Sequence, residues 1–297
     1  MDESRRNVFN LSKTGNIIGV IRDSEGKDLK MIYETPYNNT KDIKTYNVIK
    51  LKDNETIQQI PIGRMTNGKN QRFISLILGK SGIGKSTYAN NLAIEYHSYY
   101  PKNSILLFTD NPSSELKVKG ADVKRVIINE ENFINDPIGL EEISNSFCVF
   151  DDIDAMNDKI LKEALFKFLN KVLQYGRHHN ISLAITMHKL VNGKDSTIML
   201  DEAHSITYFP QFVSPMASKY LLENYVGINQ YQINYIRKSG AYWATLYKDG
   251  RIFCMTDKML FDVNKLYNNS PYLEEYKLDN IKETTKKIKK KYDKIYF

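Results

Sequence analysis

The sequence predicts an α/β protein, with a mostly parallel sheet flanked by helices and a small β-rich extension before it. From residue 71 onward, apolar strand-like runs alternate with amphipathic helical segments, which is typical of parallel strands joined by crossovers. The first of these runs passes directly into a glycine-rich turn and then a helix. Residues 1–70 instead hold short strand-like pieces separated by turns that contain Asn and Gly. We therefore divide the chain into an extension at 1–70, a core at 71–265 and a basic tail at 266–297.

The core strands are predicted from apolar runs, and the helices from apolar residues spaced three or four apart. The predicted strands are 73–78, 104–109, 124–128, 147–151, 181–187 and 205–209. Helices are expected at 85–98, near 138–145 and at 158–175, the last with Gly176 as its stop. A helical stretch after residue 216 precedes two strands around Asp249-Gly250, a pair typical of hairpin turns.

Composition narrows the class of protein. The chain has 297 residues, of which 41% are hydrophobic and 26% charged, so wholesale disorder is not expected. The net charge of +7 permits an acidic polymer as partner without requiring one. Cys148 and Cys254 lie outside any paired metal spacing, which favours buried free thiols in a reducing compartment. No secretory signal and no run of ~18 apolar residues is seen, so we expect a soluble intracellular protein without a membrane span.

One motif occupies the first predicted junction between strand and helix. Residues 79–86 have the sequence GKSGIGKS and fit the P-loop pattern G-x-x-x-x-G-K-[ST] without a gap. The glycines let backbone N–H groups turn toward phosphate oxygens, and the following helix presents its positive end. Lys85 is predicted to reach the β- and γ-phosphates of ATP, and the Ser86 hydroxyl to bind Mg²⁺. The predicted nucleotide-binding residues are Gly79, Lys80, Ser81, Gly82, Ile83, Gly84, Lys85, Ser86 and Thr87.

The context of this motif separates it from a glycine-rich turn that matches by chance. A P-loop requires a buried strand before it and a helix after it, and both are predicted here. The sequence therefore predicts a P-loop NTPase. Lys80, the first of the two lysines, is expected to face solvent, which leaves Lys85 as the lysine that contacts phosphate.

A pair of carboxylates supplies the second part of the predicted site. Asp151 and Asp152 follow the apolar run FCVF, as expected where a buried strand ends at the catalytic edge of the sheet. Asp151 fits the magnesium position, and Asp152 fits a general base that polarises the attacking water. Asp154 is a candidate for the surrounding shell. Alternatively, the acidic residues cap the next helix, a role that Asp154 or Asp158 would serve equally well.

Two more polar residues are candidates for the same chemistry. Arg177, just after a helix, is a candidate arginine finger for the γ-phosphate of a neighbouring subunit; it equally fits a cation that complements the helix C-terminus. His188 ends the strand ISLAITM, where its side chain would sense the γ-phosphate. A histidine at a strand end is also compatible with a purely structural role.

In this order, the P-loop, FCVFDDID, GRHHNISLAITMH and AYWATLYKDGRIF resemble the genome-packaging ATPases of large DNA viruses and virophages, of the poxvirus type. These proteins belong to the FtsK/HerA superfamily of P-loop motors. The resemblance covers roughly residues 71–260 and implies a RecA-like core. It places Lys85 and Ser86 at the phosphate and Mg²⁺ positions, Asp151 and Asp152 at the acidic pair, and His188 at the polar sensor. Asp152 is one methylene shorter than the Glu found in many members of the superfamily.

The resemblance also implies what the protein works on. It predicts an Mg²⁺-dependent ATPase that assembles into a homo-oligomeric ring and drives double-stranded DNA into a capsid, with proteins of the capsid or portal vertex as partners. The expected location is the virion and the host cytoplasm or viral factory. Two alternatives stay open: a HerA-like helicase or other DNA-processing ATPase, and a nucleotide-binding assembly protein that does not hydrolyse ATP.

Two segments are candidates for contact with DNA phosphates. The last 17 residues carry seven Lys against Glu283 and Asp293, a charge of 7 − 2 = +5, which suits a phosphate backbone but is also typical of a solvated tail. Residues 190–205 are a candidate loop facing a ring channel, with Lys189 and Lys194 as contacts. Neither segment indicates sequence-specific recognition.

Overall fold

The structure is a computed structural model that describes residues 7–36, 44–66, 69–189, 194–248 and 252–266. Its main layer is a twisted sheet flanked by helices, and a smaller antiparallel sheet packs beside it. The predicted α/β fold with a mostly parallel sheet is confirmed. The basic tail beyond residue 266 and the turn Asp249-Gly250 lie outside the described residues.

The extension is β-rich, as predicted. In chain order its strands are β1 (Asn7–Asn10), β2 (Asn16–Asp23), β3 (Asp28–Pro36), β4 (Thr45–Tyr46), β5 (Val48–Lys50), β6 (Glu55–Gln59), β7 (Met65–Thr66) and β8 (Lys69–Asn70). Among the described strands, five form an antiparallel sheet in the order β4-β1-β3-β2-β6, while β7 pairs with β8. β5 leaves this sheet and joins the core instead.

The core sheet begins with β9. Its strands are β9 (Ile74–Leu78), β10 (Ser104–Thr109), β11 (Val123–Ile127), β12 (Ser146–Phe150), β13 (Ile181–Met187), β14 (Ser205–Tyr208), β15 (Ala244–Tyr247), β16 (Phe253–Thr256) and β17 (Met259–Asp262). In the described part of the chain the order is β11-β10-β12-β13-β9-β14-β15-β16-β17-β5. Pairing is parallel from β11 to β14 and antiparallel from β14 to β5. β15 and β16 form the predicted hairpin.

Helices connect these strands. They are α1 (Lys85–Tyr99), α2 (Lys159–Tyr175), α3 (Lys194–Glu202), α4 (Pro215–Leu221) and α5 (Gln230–Lys238), with single π-helical turns at Glu131–Asn135 and Leu222–Val226. The helix expected near 138–145 is wrong, because only a short turn occurs there, at 140–143. Gly139 lies in its first turn, where glycine disfavours a helix, and Asn145 has a left-handed φ of 53° at its end. Residues 194–202 of the expected channel loop are helical instead.

α2 shows how local sequence sets the ends of an element. The Asp158 side chain accepts a hydrogen bond from the backbone N–H of Leu161 at 3.0 Å and so caps the first turn. At the other end, Gly176 lies so close to Arg72 that a Cβ atom would come within 2.9 Å of the guanidinium. A glycine is required here by close approach rather than by backbone angles.

The extension packs against the core through apolar and ionic contacts. β5 pairs with β17 along Val48–Lys50, and Phe9, Ile18 and Ile32 share a buried cluster with residues of β15 and β16. Arg22 on β2 forms an ion pair with Glu95 on α1, whose side chain is 4% exposed. The proposed boundary at residue 70 stays a prediction, although β5 contributes a strand to the core sheet.

The central strands are buried on both faces, as parallel sheets covered by helices require. Cys148 on β12 and Cys254 on β16 are free and buried, as predicted. Burial raises the pKa of the Cys148 thiol to about 12 and that of Cys254 also well above its usual range. Among the residues described, none of the helices combines the length and apolarity needed to cross a bilayer.

Candidate functional site

Three adjacent strands deliver the predicted site residues to one edge of the sheet. The glycine-rich loop follows β9, the two aspartates follow β12, and His188 follows β13, which lies between β12 and β9. All three strands are parallel, so their carboxyl ends meet at this edge. Ligands of open α/β sheets bind in this region.

The loop at 79–84 has a backbone that only glycine accommodates easily. Gly82 has φ of +76° and Gly84 has φ of +93°, both in the left-handed region. Gly84 precedes α1, and no side chain caps that helix. The N–H groups of the first helical turn are therefore free of an intrahelical acceptor and can donate to an anion.

Lys85 is the cation of the site. It is 4% exposed, and its Nζ donates to the carbonyl oxygen of Lys80 at 3.2 Å. The same Nζ lies 3.1 Å from Oδ1 of Asp152. A buried ammonium needs such partners, because burial without them would cost several kcal/mol. Lys80 itself is exposed, as predicted, and contributes its backbone carbonyl.

Asp151 is the centre of a cluster of hydroxyl groups. Its Oδ1 accepts from Ser86 Oγ at 3.2 Å and lies 3.0 Å from Thr186 Oγ1, while its Oδ2 accepts from Ser114 Oγ at 2.6 Å. The carboxylate is 8% exposed. Mg²⁺ prefers oxygen ligands and keeps several waters, so one hydroxyl and one carboxylate side by side fit this cation. Ser86 and Asp151 are the residues that would hold it.

Asp152 adopts an unusual backbone conformation, with φ of +50°. Such an angle is uncommon outside glycine and has to be held by its surroundings. Its backbone N–H donates to Thr186 Oγ1 at 2.7 Å, and its side chain faces Lys85 and His188. About a third of the Asp152 side chain is exposed (33%), so water can reach the carboxylate.

His188 lies between two carboxylates. Its Nε2 is 3.4 Å from Asp152 Oδ2, and its Nδ1 is 3.4 Å from Asp154 Oδ1. Asp154 also accepts from the backbone N–H groups of His188 and Lys189, at 2.9–3.1 Å. The nearly buried Asp154 carboxylate therefore fixes the turn that presents the imidazole to Asp152. Its expected place in the shell around a bound Mg²⁺ stays a prediction.

Arg177 is not part of this cluster. It follows α2, at the amino end of β13, and its Nε donates to Gln71 Oε1 at 3.1 Å. β13 has seven residues, so roughly 20 Å of strand separates Arg177 from the opposite edge. Within one chain it does not reach the loop. Action on a neighbouring subunit stays a prediction.

Two residues of the cluster were not predicted from the sequence. Thr186 is a buried polar residue of β13 and lies on the same face of the strand as Ser182 and Ala184. Only the register of β13 with β12 places it between the aspartates. Ser114 lies in an irregular segment after β10, where sequence offers no measure of distance to Asp151. A hydroxyl just before a strand end is the one indication that the sequence contained.

Together these groups can bind a triphosphate and activate water. The loop and Lys85 supply N–H donors and a positive charge, Ser86 and Asp151 supply oxygen ligands for a hard cation, and Asp152 supplies a solvent-accessible base.

Known proteins resemble this chain in sequence and in fold. No protein-family model matches it. Over 199 residues it is 32% identical to "Uncharacterized protein V3" of Sputnik virophage, a match that covers 65% of this chain and 79% of V3. The chain belongs to the family of virophage protein V3. The expected relationship to virophage proteins is thereby confirmed.

Several solved structures resemble this V3-family protein at low identity. The genome-packaging NTPase B204 of Sulfolobus turreted icosahedral virus 2, in complex with sulfate, has a TM-score of 0.45 and 14% identity, covering 64% of this chain and 98% of B204. B204 of Sulfolobus turreted icosahedral virus, described as a DNA-packaging ATPase, has a TM-score of 0.44 and 16% identity, covering 61% of this chain and 96% of B204. The pCW3 conjugation coupling protein TcpA has a TM-score of 0.42 and 14% identity, covering 83% of this chain and 77% of TcpA. At these values the likeness says nothing about activity.

Proposed function

We propose that this V3-family protein is an ATP-hydrolysing motor that moves double-stranded viral DNA into a capsid. The observation that carries the proposal is the site edge itself, where Lys85 pairs with Asp152 at 3.1 Å and Ser86 bonds to Asp151 at 3.2 Å. These are the active-site groups that a P-loop enzyme uses to hydrolyse a nucleoside triphosphate.

The proposed reaction assigns one task to each group. The loop amides and Lys85 Nζ donate to the β- and γ-phosphate oxygens of ATP. Ser86 and Asp151 would hold Mg²⁺, which supplies charge neutralisation at those oxygens. Asp152 takes a proton from the water that attacks the γ-phosphorus, as ADP departs. His188 would hold the Asp152 carboxylate in place and face the γ-phosphate.

The DNA-moving part of the proposal is supported by the ordered motifs, and its viral setting by kinship with a virophage protein. Membership of the FtsK/HerA superfamily would place the chain in a homo-oligomeric ring at a capsid or portal vertex, in the virion or the viral factory. The net charge of +7 suits a polyanionic partner. Arg177, at the opposite edge of the sheet, is exposed and therefore accessible to a neighbouring subunit.

Substitution of the two central residues tests hydrolysis. Lys85→Ala and Asp152→Asn should each lower DNA-stimulated ATP hydrolysis by about 10²-fold or more, because each removes a group that acts on the transferred phosphate or on water. Lys80→Ala is the matched control, since this exposed lysine of the same loop keeps its backbone carbonyl in the variant. Steady-state phosphate release with linear duplex DNA gives the measurement.

The same assay separates the alternatives. Stimulation by empty capsids supports packaging, whereas stimulation by forked DNA alone would favour a helicase. If the wild-type protein binds ATP but shows no ATP hydrolysis above that of the Lys85→Ala and Asp152→Asn variants, a non-hydrolysing assembly protein is favoured. The motor proposal would then fail.

A further inference from the structure

Three aromatic side chains lie beside the glycine-rich loop, on the side away from the aspartates. Phe209 and Phe212 follow β14, and Tyr242 precedes β15. The Phe209 and Tyr242 ring centroids are 5.7 Å apart at 86°, and those of Phe212 and Tyr242 are 5.3 Å apart at 73°. We call these residues the aromatic flank. Edge-to-face packing of this kind holds each ring in a defined orientation.

The aromatic flank is attached directly to the loop. The Tyr242 hydroxyl donates to the carbonyl oxygen of Ile83 at 3.1 Å. A Cβ atom built on Gly84 would lie 4.0 Å from the Tyr242 ring, and one built on Gly79 would lie 3.1 Å from Phe209. The rings therefore border the same loop whose amides face phosphate.

Strand order fixes the direction of a bound nucleotide. The aspartates and His188 follow β12 and β13 on one side of β9. On the other side, Phe209 and Phe212 follow β14, and Tyr242 precedes β15, whose first residue pairs with the last residue of β14. A triphosphate whose γ-phosphate faces Asp152 therefore extends its ribose and base across the start of α1 toward β14. The aromatic flank is the surface at that end.

Two of the three rings present apolar surface to solvent. Tyr242 is 44% exposed and Phe212 is 40% exposed, whereas Phe209 is 1% exposed and supports them. A turn hydrogen bond from Phe212 N to Phe209 O at 3.0 Å fixes the backbone beneath the rings. Single exposed apolar residues are common on protein surfaces. Tyr242 is packed on Phe209 and bonded to the phosphate-binding loop, and the Phe212 ring stands at 73° to it. A flat heterocycle could therefore stack on the Tyr242 ring and contact Phe212 at its edge.

We propose that Tyr242 and Phe212 form the nucleobase subsite, in which the base of the bound nucleotide stacks on Tyr242 and meets Phe212 at its edge. This proposal rests on the proposed nucleotide-binding function and adds the group that recognises the base. Stacking uses the π-face that every base possesses. GTP and ATP should therefore bind with similar affinity.

The test compares ligands with and without a base. Calorimetry would measure binding of ATP, GTP and inorganic tripolyphosphate to wild type, Tyr242→Ala, Phe212→Ala and Tyr242→Phe. We expect Tyr242→Ala to weaken ATP and GTP binding about tenfold, because the base loses the ring on which it stacks. Tripolyphosphate binding should stay unchanged. Tyr242→Phe keeps the ring and should retain most of the affinity for both nucleotides.

Each other outcome has a definite meaning. Equal weakening of ATP and tripolyphosphate in Tyr242→Ala would show that the ring only supports the loop, and the subsite proposal would be overturned. Unchanged ATP binding in Tyr242→Ala and Phe212→Ala, both folded by circular dichroism, would overturn it too. Sedimentation that shifts to smaller species with unchanged affinity would assign the rings to contact between copies of the chain. Failure of wild type to bind either ligand would instead remove the nucleotide-binding function itself.

Discussion

At the scale of single residues, Thr186 has one hydroxyl proton and two carboxylates within reach. Its Oγ1 lies 3.0 Å from Asp151 Oδ1 and 3.1 Å from Asp152 Oδ1, and it accepts from the Asp152 backbone N–H at 2.7 Å. A hydroxyl donates one hydrogen bond at a time. Thr186 therefore holds the left-handed backbone of Asp152 while its proton serves only one of the two acids.

Thr186→Val should leave the chain folded but misplace Asp152, because the nearly isosteric side chain cannot accept the backbone hydrogen bond. We expect kcat for ATP hydrolysis to fall by about 10- to 100-fold, as small displacements of reacting groups do. The Mg²⁺ concentration for half-maximal activity should rise as well. Thr186→Ser retains the hydroxyl and should restore both values. Equal activity of Val and Ser variants would contradict this role.

At the scale of elements, Arg72 joins the start of β9 to the end of α2. Its guanidinium donates to the carbonyl oxygens of Val172 and Leu173 and lies 3.7 Å from Glu202 at the end of α3. Burial lowers the pKa of Arg72, an effect that Glu202 opposes. The Val172 carbonyl also accepts from the backbone N–H of Gly176, so Arg72 is its second donor. The Leu173 carbonyl lies in the last turn of α2, where carbonyls lack intrahelical donors, and Arg72 donates to it.

Arg72→Ala should lower the free energy of unfolding by about 2 kcal/mol, because the Leu173 carbonyl loses its side-chain donor and the Val172 carbonyl keeps only the N–H of Gly176. Arg177→Ala is the matched control: that arginine lies near the same helix end but is exposed, so a change within about 0.5 kcal/mol is expected. Urea titration followed by circular dichroism measures both. If both substitutions lowered the free energy of unfolding by the same amount, the buried position of Arg72 would not be the cause of the loss.

At the scale of the whole molecule, the ion pair between Arg22 and Glu95 crosses from the extension to α1. Arg22 Nη2 donates to Glu95 Oε2 at 3.1 Å, and the bond to Glu95 raises the pKa of Arg22. Asp28 adds a second, more exposed partner for the same guanidinium. Because the Glu95 side chain is buried, Arg22 replaces the contact with water that the carboxylate lacks.

Arg22→Ala should destabilise the protein by about 3 kcal/mol, since it leaves a buried carboxylate without its cation. The double variant Arg22→Ala/Glu95→Gln removes the charge as well and should recover part of that loss. Midpoints of urea unfolding for the two variants give the comparison. A double variant less stable than the single one would mean that Glu95 is compensated by other groups.

The sequence by itself determined the alternation of strands and helices, the P-loop and the acidic pair, because these features depend on local spacing and residue type. The apolar runs in the sequence predicted the start of every parallel core strand to within one residue. The helix prediction failed near 138–145, where Gly139 and a left-handed Asn145 override the apolar spacing.

Only the tertiary structure decided which residues meet. Strand order and register bring Thr186 between Asp151 and Asp152, set Arg177 at the far edge of the sheet, and place Tyr242 against Ile83 although 159 positions separate them. Local sequence carries no information about such distances. They follow from packing and pairing among segments far apart in the chain. Local sequence therefore determines which reactive residues follow β9 and β12. The fold determines how these residues are oriented toward one another and which aromatic side chains border them.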